Sequence, residues 1–417
     1  MTIRRTVHIV AAIIALPLLW SQPVSAGSHP ECVTSSTAGP PPVFIDATTC
    51  GLYYVLHNAR YEVVSAVETE VKIVYGVWLP ATTPKAMVVL FAGGTGKTGL
   101  DGDATTHAMT DSGNNFLVRS AQLFAEGGYA AVVISRPSTL DTDDMAIYGA
   151  YRVSASHAQD IAQVVDDVRM NVLASNPRVF FAGTSAGAIS AFAQNHLSSA
   201  VLLSSPIVTG SSGPYLGQPG EKRLRPAYLK VPAQVLMHGG DGCSFSAPAT
   251  AQLFVQALKS AGKAVTEFTY AATAGFDLTG QIIPPSTDPV DACDALTHHG
   301  FLGIEEQAVK RMVKRLDNLN DNFDMAFPGN HFPTVTKTTL TAMVGQPLQI
   351  TLPVTDADVD LLKFRLPYHT TSRGATLSLS GSVVTFTSSQ VSKDGFVYIA
   401  EDGKRGKVMG VVMVDVQ

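Results

Sequence analysis

Two rhythms of hydrophobic and polar positions run along this chain, and the switch between them divides it. From about Val55 to Asn320, short runs of β-branched and aromatic residues alternate with longer stretches whose apolar residues recur every three or four positions. Buried strands alternating with amphipathic helices predict an α/β fold, a largely parallel sheet with helices on both faces. Val63 to Val67 and Glu70 to Leu79 predict an opening hairpin, and Met87 to Phe91 a buried strand ending in Ala92-Gly93-Gly94-Thr95-Gly96. A helix carrying Phe116, Leu117, Ala121 and Phe124 stops at Gly127-Gly128, before a strand from Tyr129 to Ser135. Ile161, Val164, Val165 and Val168 make one stripe of a helix from about Ser154 to Leu173. A strand from Val179 to Ala182, a turn over Gly183 to Gly187 and a helix to about His196 follow. Strands Val201 to Ser204 and Gln234 to Met237 flank a Gly/Pro-rich loop, 205–230. A helix Ala249 to Ser260, a strand Val265 to Tyr270, an irregular loop with Pro284 and Pro285, and a helix Glu305 to Leu316 complete this part. Beyond about Pro333 the helical period disappears. Thr/Val/Leu alternation broken by turn residues predicts a small all-β unit, with His331-Phe332-Pro333 as the junction.

The N-terminus follows neither rhythm. Arg4 and Arg5 precede an apolar stretch from Ile9 to Trp20, and Val24-Ser25-Ala26 is a small-residue cleavage pattern. That is the pattern of a removable export signal over residues 1–26. The alternative, a membrane anchor, needs about 20 apolar residues in a row, more than this stretch offers, so no integral membrane segment is expected once the signal is removed. The expected organisation is a signal over 1–26, an extension over 27–54, a large α/β unit over 55–330 and a β unit over 331–417. Only 15% of the 417 residues are charged, the net charge is −5, and no Lys/Arg run exceeds two residues. A nucleic-acid partner is therefore not expected. Export makes Cys32, Cys50, Cys243 and Cys293 an even set in an oxidising compartment with three possible pairings. Chain order favours Cys32–Cys50 and Cys243–Cys293. The absence of a CxxC spacing argues against a zinc or thiol-redox site.

The sharpest chemical signal is Val179-Phe180-Phe181-Ala182-Gly183-Thr184-Ser185-Ala186-Gly187. A bare GxSxG is common by chance, but here it joins a buried strand to an Ala-rich helix, the setting a nucleophilic serine needs. Glycines allow the sharp turn, and the free N–H groups of the following helix can hold a developing negative charge. A serine nucleophile needs a base, and the base an orienting acid. Asp241 follows the strand Gln234 to Met237, in His238-Gly239-Gly240-Asp241-Gly242-Cys243, and so shares the edge at which Ser185 emerges. Downstream, His298 and His299 lie side by side before the last helix, and His299 is preferred for the Gly300-Phe301 behind it. Asp288, Asp291 and Asp294 are alternative acids but sit in a polar, Pro-rich loop with no strand to fix them.

These residues, in this order, resemble an α/β-hydrolase over about residues 55–320. The resemblance rests on Gly183 to Gly187, the Gly-rich loop 93–96, Gly239-Gly240-Asp241 and His299-Gly300-Phe301, and the last of these resembles secreted esterases. It implies an oxyanion hole from the backbone of Ala186 and Gly94, although the family often carries a His before that glycine loop where this chain has Ala92. It implies no cofactor and no metal. Its substrate would be a small-molecule or polymeric ester. The C-terminal segment, through Thr355 to Asp360, Gly395 to Tyr398, Glu401-Asp402-Gly403 and the strand Val408 to Val416, resembles bacterial immunoglobulin- or cadherin-like repeats. That implies a small sandwich domain contacting a cell surface, carbohydrate or a neighbouring domain.

Other residues have plainer readings. His107, His157, His196, His238 and His331 read singly as surface or satisfied core residues, though His238 precedes the acid and so also reads as a support for its turn. Asn115 and Arg152 are candidates for the mouth of the cleft. Asp356, Asp358 and Asp360 alternate and would share one face of a strand. A calcium turn there would lack the EF-hand glycine and closing Glu, so a solvated acidic turn is the reading preferred. Gly93-Gly94-Thr95-Gly96-Lys97-Thr98 superficially suggests a phosphate-binding loop, but Phe91 stands where that motif needs its first glycine. The functional expectation is an exported ester hydrolase using Ser185, His299 and Asp241. A peptidase of the same fold and an inactive surface-binding protein are the alternatives.

Overall fold

The computed structural model describes residues 51–140, 142–208, 222–275, 281–283 and 291–417. The export-signal pattern, both members of the expected Cys32–Cys50 pair, much of loop 205–230, Pro284-Pro285 and Asp288 lie outside the described residues.

A long hairpin opens the fold: β1 (Leu52–Val64) pairs with β2 (Val67–Trp78) from Leu52↔Val77 to Val64↔Val67. The link is Ser65-Ala66, both at positive φ, the backbone a two-residue hairpin turn demands. Those residue types do not advertise such a turn. The expected strands therefore stopped short: Val63 to Val67 straddles the turn, and the first strand starts well before Val63.

Eight further strands complete the main sheet: β3 (Met87–Phe91), β4 (Asp101–Asp103), β5 (Ala108–Asp111), β6 (Ala130–Pro137), β7 (Val179–Thr184), β8 (Val201–Ser204), β9 (Ala233–His238) and β10 (Val265–Tyr270). Their order is β10-β9-β8-β7-β3-β6-β2-β1-β5-β4. From β10 to β6 all neighbours are parallel, and beyond β6 all are antiparallel. This is the expected α/β architecture, a largely parallel sheet with helices on both faces, with an antiparallel wing on one side.

The parity of β3 shows why its five residues read as an unbroken apolar run. Met87, Val89 and Phe91 enter one core, while Val88 and Leu90 enter another on the opposite face. A strand covered on both faces loses its alternation. The first core is closed by α4 (Ala155–Asp167), α5 (Gly187–Ala193) and α6 (Pro248–Ser260) through Ile161, Val165, Ile189, Phe192, Phe254 and Leu258. The second is closed by α1 (Phe116–Arg119), α2 (Ala121–Glu126) and α7 (Glu305–Ala326), through Phe116, Phe124, Val309, Met312 and Leu316. The expected single helix before Gly127 is thus two, broken at Ser120. The expected helix to Leu173 closes with a π-helical turn over Val168–Leu173. An unexpected helix, α3 (Met145–Arg152), precedes α4; Asp144 caps it by accepting from the N–H groups of Ala146 and Ile147.

After α7, short strands build the C-terminal part: β11 (Thr334–Val335), β12 (Thr338–Ala342), β13 (Leu348–Thr351), β14 (Val354–Thr355), β15 (Lys363–Arg365), β16 (Thr376–Ser380), β17 (Val383–Thr387), β18 (Ser392–Glu401) and β19 (Lys407–Val416). A four-stranded sheet β12-β19-β18-β15 and a three-stranded sheet β13-β17-β16 share a core of Ile350, Val384, Phe386, Phe396, Tyr398, Val412 and Val414. This is the small all-β sandwich expected. Asp356, Asp358 and Asp360 lie in a turn rather than on a strand face. Asp358 pairs with His331 and Asp360 with Lys404, and Asp356, Asp360 and Asp402 bring their carboxylates together.

Candidate active site

Ser185 sits between β7 and α5 at φ +53, in the left-handed region that β-carbon-bearing residues rarely occupy. Its N–H donates to Ser204 O on the neighbouring strand at 2.9 Å, which pins the turn to the sheet. The turn tolerates little bulk. A β-carbon on Gly187 would stand 2.1 Å from Phe91 O, so the elbow can approach β3 only with glycine there. That approach brings the loop after β3 beside Ser185. Gly94 there has φ +55, again a backbone that favours glycine. Among the described residues, the N–H groups of Ala186 and Gly94 have no hydrogen-bond acceptor.

Asp241 and His299, the expected acid and base, lie in contact. Asp241 follows β9 and is buried, its Oδ1 accepting from Cys243 N–H at 2.9 Å. His299 Nδ1 lies 3.1 Å from Asp241 Oδ2 and 3.3 Å from Oδ1. A third member was not foreseen. Ser246, also buried, donates from Oγ to Asp241 Oδ2 at 2.9 Å and lies 2.9 Å from His299 Nδ1. With its proton committed to the carboxylate, the hydroxyl oxygen is free to accept the imidazole Nδ1–H. No motif marks a serine that acts only through the fold, so pattern reading passes over it.

His298 goes elsewhere. Its Nδ1 lies 3.1 Å from Gly240 O, and its ring stacks on His238 with centroids 4.4 Å apart. His238 takes the supporting role foreseen as its second reading: Nδ1 accepts from Gly240 N–H at 3.0 Å, which leaves Nε2–H to donate to Ala274 O at 2.9 Å. Burial, with the nearby His298, lowers its pKa to about 4, so it is neutral at ordinary pH. Of the alternative acids, Asp294 accepts from its own turn at Leu296 N–H. The disulfide Cys243–Cys293 is formed and ties the acid's turn to the segment leading to His299. Arg119, unremarked in the sequence, donates to Gly300 O at 2.6 Å and pairs with Glu305 at the start of α7 at 2.9 Å.

Ser185, His299, Gly93, Gly94, Asn115, Phe116, Cys293 and Gly300 line one open cleft. Asn115 is therefore at the cleft, as foreseen. Arg152 is not: it is buried under the loop, where Nη2 donates to Ala92 O and Gly94 O at 2.9 and 3.1 Å and Nη1 to Ser190 Oγ at 2.7 Å. Its position depends on α3, which the sequence reading lacked. Asp241, Cys243 and His299 also gather donor atoms as a metal group would. Cys243 is held in the disulfide, so the set lacks its third ligand.

No family model matches the sequence, and no curated protein matches it. Solved structures do resemble it. A cold-adapted esterase from an Arctic intertidal metagenomic library is 16% identical, with a TM-score of 0.35, covering 53% of this chain and 85% of that one. A serine hydrolase without lid from Xanthomonas campestris is 13% identical, with a TM-score of 0.38, covering 63% and 95%. A puromycin hydrolase is 13% identical, with a TM-score of 0.39, covering 64% of this chain and 39% of that one.

Proposed function

We propose that this protein is an exported serine hydrolase acting on carboxylic esters. One observation carries the reading: His299, with Nδ1 turned to Asp241 and Ser246, lines the same cleft as Ser185 on its positive-φ turn. Ser185 and His299 share no direct hydrogen bond, and such contacts often close only around substrate. In the proposed reaction Ser185 Oγ attacks the ester carbonyl carbon as His299 Nε2 takes its proton. The N–H groups of Ala186 and Gly94 receive the oxyanion. His299 then protonates the departing alkoxide, and water, activated by the same nitrogen, releases the acid from the acyl-serine. Asp241 and Ser246 keep Nδ1 protonated and the ring oriented throughout. Export is supported by the Arg4 to Ala26 pattern and by the formed disulfide.

A fluorophosphonate probe and p-nitrophenyl acyl esters test the reading together. Labelling at Ser185, lost in Ser185→Ala and in His299→Ala, with ester turnover lost in parallel, is the expected result. Full ester turnover by Ser185→Ala would refute the mechanism. Faster turnover of aminoacyl amides than of esters would move the substrate class to peptides. A wild type that neither labels nor hydrolyses would leave a surface-binding protein.

A further inference from the structure

We infer that the C-terminal sandwich is part of the catalytic scaffold, with Tyr368 acting as a positioning residue for the oxyanion loop through Arg152. The inference rests on the hydrolase reading above.

The chain of contacts starts at the loop. The peptide bearing the Gly94 N–H is held on both flanks by one guanidinium, which takes Ala92 O and Gly94 O together. Arg152 has only neutral acceptors there, and its charge is buried. Such a group stays where it is only if its own backbone is fixed. Tyr148, one turn earlier on α3, helps: its ring lies 4.5 Å from the Arg152 guanidinium, and a β-carbon on Gly96 would stand 2.2 Å from its hydroxyl oxygen.

Arg152 closes α3, and the last carbonyls of a helix have no partners within it. Here they are satisfied from outside. Gln194, buried at the end of α5, places Nε2 3.0 Å from Arg152 O and 3.1 Å from Ser154 O. The carbonyl between them, Val153 O, accepts from the Tyr368 hydroxyl at 2.9 Å, and the same hydroxyl lies 3.0 Å from Gln194 Nε2. Tyr368 belongs to the segment after β15, within the sandwich. Its ring is itself seated: the Arg223 guanidinium lies 3.7 Å over it and donates to Pro367 O at 2.6 Å. A phenol fixed by stacking on one side and by two hydrogen bonds on the other is a stop for the end of α3. The sandwich thereby sets how far Arg152 reaches toward the oxyanion loop.

The test is Tyr368→Phe in the full chain, which keeps the ring and removes the hydroxyl. Turnover is expressed per Ser185 labelled to completion by the fluorophosphonate, so any unfolded fraction divides out. The expected result is a fall in kcat on the order of tenfold with KM near the wild-type value, the size a relayed coupling of this kind can reach. Affinity for a boronic acid, which forms a tetrahedral anion on Ser185, should fall by the same factor. Gln349→Ala, on the exposed surface of β13, should leave both unchanged. Wild-type kcat and boronate affinity in Tyr368→Phe, with the wild type labelling normally, would overturn this inference alone. A wild type that does not label at Ser185 overturns the hydrolase reading, and this inference with it.

Discussion

Replacing Cys243 and Cys293 together by alanine opens a covalent loop whose ends are 50 residues apart. In the chain-entropy treatment, a loop of that length restricts the unfolded chain by about 14 cal/mol/K, or about 4 kcal/mol at 25 °C. For a chain of this size that corresponds to a thermal midpoint lower by about 5 °C. The consequence for catalysis is local. Cys243 is two residues beyond Asp241 and Cys293 six before His299, so the bond shortens the path between acid and base. Without it, their relative position rests on the Asp241–His299–Ser246 contacts and on the Arg119 bond to Gly300 O. A misplacement of about 1 Å at such a site costs up to about a hundredfold in rate, and a loss of at least tenfold in kcat is expected. The assay pairs thermal unfolding with p-nitrophenyl ester turnover, for the double variant and for wild type with and without dithiothreitol. Cys293 lines the cleft, so the reductant should reproduce the variant without denaturant. A double variant with the wild-type midpoint would refute the stability argument, and one with the wild-type kcat would refute the positioning argument.

Ser246→Ala removes the hydroxyl that donates to Asp241 and faces His299, leaving the buried carboxylate one donor short. A bond to a charged acceptor contributes about 1.5–3 kcal/mol, so urea unfolding should show a loss of that size and ester kinetics a fall in kcat with little change in KM. Acid should also destabilise the fold. His157, His196 and His238 are held neutral chiefly by burial, their pKa values lying below 6.5, about 4 for His238. Each then takes up a proton on unfolding, so stability is complete above about pH 6.5 and is lost as pH falls toward 4. Thermal midpoints between pH 7 and 4 check this, and a profile flat over that range would refute it.

Much of this was legible along the chain because its chemistry is local. The Ser185 turn is written in consecutive residues, and β3, β8 and β10 fall where their apolar runs are bounded by turn residues. Asp241 and His299 could be proposed from chain order, Asp241 because it stands just past β9 and His299 because it stands shortly before α7. The roles that were missed or misplaced depend on how elements distant in the chain come together. Ser246, Arg152 and Tyr368 carry no signal of their own, because their roles exist only once β9, α3 and the sandwich have been placed. The last helix shows the same limit. The expected helix stops at Leu316, yet α7 runs on through Asp317, Asn318, Asn320, Asp321 and Asn322 to Ala326. Leu319 and Asn320 are buried there, Arg178 takes Asp324, and Tyr129 and Lys85 take Asp317. Tertiary contacts of that kind outweigh the weak helix propensity of Asn and Asp.

The sandwich carried a readable clue to its own attachment. A strand of a free-standing two-sheet unit has one face in the core and one in water, and should alternate. In β18 the run Phe396-Val397-Tyr398-Ile399-Ala400 does not alternate, and every residue of it is buried. Its two parities serve different cores. Phe396 and Tyr398 point into the sandwich, while Val397 and Ile399 join the core built on α4, where Met409 and Val411 of β19 accompany them. The outer face of that sheet is thus a wall of the α/β core, and Gln159 and Gln163 of α4 reach Met413 of β19. A module evolved only to grip a surface would have no need to bury that face. The unbroken apolar run of β18 instead fits a sandwich whose position is fixed by the core beside it, and a fixed position is what Tyr368 needs in order to hold the end of α3.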